Sequence, residues 1–186
     1  HIAAPSLARM EAALAGVGRP RVLLHPGTSR FGAFKRWPVR HFSDLAGRLQ
    51  STLRAEVLVG WGPGEEDLAH AVVSGAPYGA RVAPATGSLG DLAALLRCVD
   101  VFVGADSAPL HLAGLVGTPA VGLFGPKDPA IYAPVLGANE VLVQDLPCRP
   151  CSRHGPEACP EGHFGCMYAL SPEAILREAL HVLGHD

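Results

Sequence analysis

The sequence predicts an α/β domain built on a doubly wound parallel sheet. Three observations carry that expectation: six apolar runs of strand length, helical periodicity in the intervals between them, and Gly or Pro at many of the junctions. A chain of 186 residues fits one core of ordinary size. Hydrophobic residues make up 48% and charged residues 17%, which is enough apolar surface to offset chain entropy and excludes a disordered polymer. The 22 Gly and 17 Pro read as many tight turns rather than low complexity.

The first strand is expected at residues 21–25, where RVLLH runs into Pro26-Gly27. Further strands are expected at 55–59, 81–83, 100–103, 120–124 and 140–143, with helices at 38–53, 65–74, 89–98 and 107–116. In the first of these helices Phe42, Leu45, Ala46 and Leu49 fall at three- and four-residue spacing and form one buried stripe. Strands alternating with such helices imply right-handed crossovers, a Rossmann-like sheet covered on both faces, and ligands at the C-terminal ends of the strands. A helix over 7–15 leads in. Ser171-Pro172-Glu173 opens a last helix over 171–183, with Ile175, Leu176, Ala179 and Leu180 on one face. Residues 144–170 lack periodicity and are rich in Cys, Pro, His and Gly; irregular stretches of that length carry function or a crosslink.

Fifteen Lys and Arg against seventeen Asp and Glu leave a net charge of -2, so no broad cationic face is expected and nucleic acid is not an expected partner. Residues 101–125 are apolar and long enough to span a bilayer, yet Asp106, Pro109, His111 and Pro119 would be costly there, and strand–helix–strand is the better reading. The chain opens HIAAPSLARM, with no initiator Met and no charged-then-apolar leader, as expected of a processed or truncated edge of something larger.

Four motifs bear chemistry. His25-Pro26-Gly27-Thr28-Ser29 with Lys35-Arg36-Trp37-Pro38, expected at the start of the next helix, brings hydroxyls, amides and a cation together, which suits a diphosphate. The plain alternative is a β-to-α connection with Lys35 solvated and Trp37 packed. Gly60 to Glu66 is Gly-rich but fails G-x-G-x-x-G, and no P-loop is present, so both of those nucleotide readings lose their best support. Glu65, slightly ahead of Glu66, is placed to take ribose hydroxyls; otherwise both acids complement a helix dipole. Gly104 to His111 is the sharpest feature. Asp106 and Ser107 can cap a helix whose free amides attract anions, and His111 lies one turn in, facing the same mouth. Read plainly, it is a cap followed by a core histidine. Gly125-Pro126-Lys127-Asp128-Pro129 adds a cation at the same edge or is only a turn. Cys148, Cys151, Cys159 and Cys166, with His154 and His163 interspersed, leave structural zinc, disulfides and reduced thiols all open, while Cys98 reads as core.

Taken together, HPGTS…KRWP, GADSAPLHLAGLVGTPAVGLFGPKDP and the Cys-rich stretch before a Ser-Pro-Glu helix resemble the C-terminal half of the ADP-heptose:lipopolysaccharide heptosyltransferase family. Asp106, Ser107, Ala108 and His111 meet its Asp-Thr/Ser-Gly/Ala-x-x-His motif, and Lys35, Trp37 and Pro38 meet its Lys-x-Trp-Pro. The likeness covers about residues 20–183. It implies one half of a GT-B glycosyltransferase that inverts the anomeric centre without an essential metal. On that likeness residues 1–186 form the nucleotide-sugar-binding C-terminal domain, with the Cys-rich loop at 144–170, and the N-terminal acceptor domain is absent. The resemblance places Thr28, Ser29 and Lys35 at the diphosphate and sugar, Glu65 at the ribose, and Asp106, Ser107, Ala108 and His111 at the phosphate or heptose. Lys35 would stabilise the leaving group, and the general base is expected in the missing half. ADP-heptose or a related nucleotide sugar is the implied donor. A lipid A-Kdo type acceptor would reach it through the other domain, in the cytoplasm and peripheral to the inner membrane. The fragment alone is expected to be inactive. A GT-B transferase for another nucleotide sugar and a non-catalytic nucleotide-sugar-binding module are the alternatives.

Overall fold

The computed structural model describes residues 2–151 and 159–185. Its six strands are β1 (Arg21–His25), β2 (Glu56–Val59), β3 (Arg81–Val82), β4 (Val101–Ala105), β5 (Ala120–Phe124) and β6 (Asn139–Val143). They pair in the order β3-β2-β1-β4-β5-β6, and every pairing is parallel. The doubly wound expectation holds. Leu23 aligns with Leu58 on one side and Phe102 on the other, and His25 aligns with Gly104, so the β1 and β4 strand ends lie side by side.

Among the described residues eight helices surround the sheet: α1 (Ala4–Ala13), α2 (Val39–Leu53), α3 (Glu66–Gly75), α4 (Leu89–Arg97), α5 (Ala108–Val116), α6 (Pro129–Tyr132), α7 (Gly165–Tyr168) and α8 (Pro172–Val182). Strand side chains alternate between two cores, as a period of two requires. Val22, Leu24, Val101 and Val103 join Trp37, Phe42, Leu45 and Ile175 on one face. Leu23 and Phe102 join Met10, Leu95 and Leu110 on the other. All five residues of β4 and of β5 are buried, as parallel strands covered on both faces should be. Each large side chain buried this way contributes roughly 1.5–3 kcal/mol.

Local chemistry sets the ends of the helices. Ser88 and Ser171 accept hydrogen bonds from Asp91 N at 3.1 Å and Ala174 N at 3.2 Å, capping α4 and α8. Gly117 ends α5 at φ 78°, a left-handed turn that glycine adopts without strain. Three expectations shift. The first helix begins earlier than residue 7, because Pro5 is pre-set for a first helical turn. Lys35 closes a 3₁₀ segment, Arg30–Lys35, instead of opening the next helix, which starts after Pro38. Ser107 occupies the cap position of α5 without capping it, since its hydroxyl donates to Ala105 O at 3.1 Å. Residues 101–125 fold as β4, α5 and β5, and among the described residues no helix is long and apolar enough to cross a membrane.

Candidate functional site

The strand order reverses between β1 and β4, and a crevice opens there beyond the strand ends. The loops after β1, β2, β3 and β4 enclose a cleft of about 830 Å³, within the range of small-ligand sites. Thr28, Ser29, Lys35, Glu65, Asp106, Ser107, Ala108 and His111 all line it. The sequence motifs therefore meet in one place.

Two ion pairs organise the polar part. Lys35 Nζ donates to Asp106 Oδ2 at 2.9 Å and to Asp106 O at 2.5 Å. An ammonium has three donors, so one remains for a ligand. Asp106 is 6% exposed, and its other oxygen lies 3.7 Å from His111 Nε2. The carboxylate thus sits between Lys35 and His111, which resolves why an acid stands beside the free amides of a helix N-terminus: the lysine neutralises it. Arg36 forms the second pair. Its Nη2 lies 3.2 Å from Glu65 Oε1 and donates to Thr28 O at 2.9 Å, while its Nε donates to the Thr28 hydroxyl at 3.3 Å. Glu65 is buried in the cleft wall, whereas Glu66 is exposed and lies 3.8 Å from His70 on the surface of α3.

A glycine makes the Glu65 position possible. A Cβ on Gly27 would lie 2.0 Å from Glu65 Oε2, so the carboxylate rests directly on the β1 loop backbone. Below it, His25 is 4% exposed, with Nδ1 3.2 Å from Gly27 O. Burial pushes the His25 pKa below its ordinary 6.5, opposed by the charge of Glu65, and the neutral ring donates from Nδ1 to that carbonyl. Trp37 is packed, as its plain reading has it: its indole N–H donates to Leu170 O at 3.0 Å.

Sequence reasoning missed the apolar side of the cleft. Thr86, Gly87 and Ser88 after β3, and Leu89 and Leu92 of α4, also line it, together with Trp61 and Pro63. Leu89 is 72% exposed at the mouth. The signal was a Leu directly after the Ser88 cap, where a solvated helix start would carry a polar residue. Lys127 does not reach the cleft; its Nζ lies over the Tyr132 ring, 4.3 Å from the centroid.

The described part of the Cys-rich segment packs at the other end of the edge. All five cysteines are free. Cys98 is buried in the core, as expected. Cys148 Sγ lies 3.9 Å from His163 Nε2, and Cys159 Sγ accepts from Phe164 N at 3.4 Å. That amide and its neighbours lower the Cys159 pKa, while burial raises those of Cys151 and Cys166. Among the described residues no three His, Cys, Asp or Glu side chains gather closely enough to hold a metal ion; His154 lies outside the described residues. Arg149 fastens the segment to the β5 loop: it donates to Gly125 O, to Gln144 O at 2.9 Å and to Lys127 O at 3.0 Å.

Residues 2–160 match the family model of glycosyltransferase family 9 (heptosyltransferase). Over 171 residues the chain is 29% identical to lipooligosaccharide heptosyltransferase 2 of Campylobacter jejuni, covering 89% of this chain and 52% of that protein. The glycosyl transferase family 9 structure from Veillonella parvula superposes with a TM-score of 0.83 at 23% identity, over 100% of this chain and 53% of that one. Heptosyltransferase WaaC of Escherichia coli, solved with ADP, superposes with a TM-score of 0.68 at 21% identity, over 95% and 48%. The chain spans about half the length of the curated relatives it matches.

Proposed function

The chain belongs to glycosyltransferase family 9, the heptosyltransferase family, and from that premise we propose that it is the donor-binding half of an inverting enzyme that transfers heptose from ADP-heptose to the lipopolysaccharide inner core. The observation that carries this reading is the cleft at the β1/β4 switch point, where Lys35, Asp106 and His111 stand beside the α5 N-terminus and Glu65 stands across the β1 loop. The E. coli structural neighbour solved with ADP supports a nucleotide ligand.

In this reading the nucleoside packs along Trp61, Pro63, Leu89 and Leu92, and Glu65 accepts hydrogen bonds from the ribose hydroxyls. The diphosphate meets the α5 amides, the remaining Lys35 donor and the Thr28-Ser29 loop. Asp106, Ser107 and Ala108 border the phosphate or heptose, with His111 at its side. As the acceptor oxygen forms its bond to the anomeric carbon, the carbon–oxygen bond to the diphosphate breaks and its electron pair leaves with the phosphate. Lys35 stabilises that growing charge. The acceptor proton goes to a base supplied by the other half of the enzyme, which also binds a lipid A-Kdo type acceptor at the cytoplasmic side of the inner membrane. No metal is required for these steps. The Cys-rich segment braces the fold, either as reduced thiols or around a structural zinc.

The reading predicts that residues 1–186 bind donor yet transfer no sugar, while the two-domain enzyme does both. A transfer assay with radiolabelled ADP-heptose and a lipid A-Kdo acceptor tests it. Robust transfer by residues 1–186 alone would place the base in this half and overturn the division of labour.

A further inference from the structure

Glu65 stands where a helix cap belongs and does not cap. It is the residue before α3, yet its carboxylate accepts no bond from that helix's amides. The side chain folds back toward β1 instead. Oε2 accepts from Gly62 N at 3.3 Å and rests where a Cβ on Gly27 would be, while Oε1 faces Arg36 Nη2 at 3.2 Å. At 9% exposed, the carboxylate is buried against a paired cation, as buried charges ordinarily are. Arg36 supplies the charge and the geometry: the same Nη2 holds Thr28 O at 2.9 Å, and Nε holds the Thr28 hydroxyl at 3.3 Å. One planar guanidinium therefore ties the β2 loop to the β1 loop through the acid itself. Lysine, a point charge on a flexible stem, could not bridge both. Lys35 cannot substitute for it, because Asp106 holds its ammonium.

Each Glu65 oxygen is turned by one donor, Arg36 on Oε1 and Gly62 N on Oε2, and each keeps lone pairs for further donors. Two neighbouring acceptor oxygens fixed in one plane suit a pair of adjacent hydroxyls. We propose that Arg36 is a positioning residue which fixes the Glu65 carboxylate for the vicinal diol of a ribonucleotide, and so makes this cleft select ribo- over 2′-deoxyribonucleotides. The inference rests on the donor-site reading above and adds to it the residue that sets sugar recognition. A site whose buried acceptor is oriented for a hydroxyl rejects the analogue that lacks it, because the acceptor is then left unpaired.

Calorimetric titration of ADP and 2′-deoxy-ADP into the wild-type chain, Arg36→Ala and Arg36→Lys tests the assignment. The wild type binds 2′-deoxy-ADP roughly ten- to a hundredfold more weakly than ADP, the span of one hydrogen bond to a charged group. In Arg36→Ala that ratio falls to within about threefold, chiefly because ADP weakens. Arg36→Lys keeps the charge but loses the bridge, and its ratio stays low as well. It also carries the test should the alanine variant fail to fold. Equal weakening of both nucleotides, with the wild-type ratio kept, would make Arg36 only a staple between loops and overturn the proposal. Absence of ADP binding to the wild type would instead overturn the donor-site reading itself, a different result from a preserved ratio.

Discussion

Arg36 and Arg149 are both partly buried arginines that tie neighbouring loops together at the C-terminal edge of one sheet, yet they build opposite kinds of structure. Arg149 gives its donors to three main-chain carbonyls, Gly125, Gln144 and Lys127, and leaves no charged acceptor behind. Arg36 divides its donors between Thr28 and a carboxylate, so the acid it fixes still has oxygens to offer. The difference separates the two ends of the edge. Near β1 and β4, paired charges border an 830 Å³ cleft; near β5 and β6, a guanidinium closes backbone against backbone. Ionised partners mark the site, and satisfied carbonyls mark the brace.

The sharpest way to break that comparison is at Lys35. In the proposed two-domain enzyme Lys35→Ala should lower kcat roughly a hundredfold or more, the usual cost of removing one donor that stabilises transition-state charge. A kcat within about threefold of wild type would reduce Lys35 to a structural partner of Asp106. On the brace side, Arg149→Ala leaves three carbonyls without their donor. It should lower Tm by several degrees while nucleotide affinity stays within about twofold, and a folded variant that no longer binds would erase the distinction between the two ends. Cys148→Ser should act the same way. If metal analysis finds about one zinc per chain, chelation should lower Tm before it touches binding; if it finds none, chelation should change neither.

The smallest effect concerns His25. Its pKa is depressed in the folded chain, chiefly by burial, so the unfolded chain binds the extra proton first as pH falls below about 6.5. Stability contributed by the neutral ring is complete above that pH and is lost on acidification below it. Tm should therefore drop by a few degrees between pH 7 and pH 5, and the drop should shrink in His25→Gln. His41, also depressed by burial and by Arg40, supplies a background that persists in that variant.

The sheet was legible because its strands are continuous apolar runs and α2 carries its stripe at Phe42, Leu45, Ala46 and Leu49 with little ambiguity. All six strands stand within two residues of where those runs predict. The β1, β2 and β4 loops were legible as motifs. Their mutual contacts were not: Lys35 meets Asp106 across 71 positions and Arg36 meets Glu65 across 29, and neither pairing leaves a periodic trace. Ser107 shows the limit of local rules, since the residue type suits a cap but its hydroxyl turns back to Ala105 O. The apolar lining from Leu89 and Leu92 stayed hidden because helix residues at that spacing ordinarily read as core.

Titration of ADP into wild-type residues 1–186 and into Asp106→Ala tests the account most directly. Asp106 joins Lys35 to His111 at the α5 N-terminus, so its removal should disorganise the anion site while leaving both cores untouched. The account predicts saturable binding of one ADP per chain, weakened roughly tenfold or more in the variant. Absence of binding to the wild type, or equal affinity in both proteins, would contradict it and return this edge of the sheet to an ordinary set of β-to-α connections.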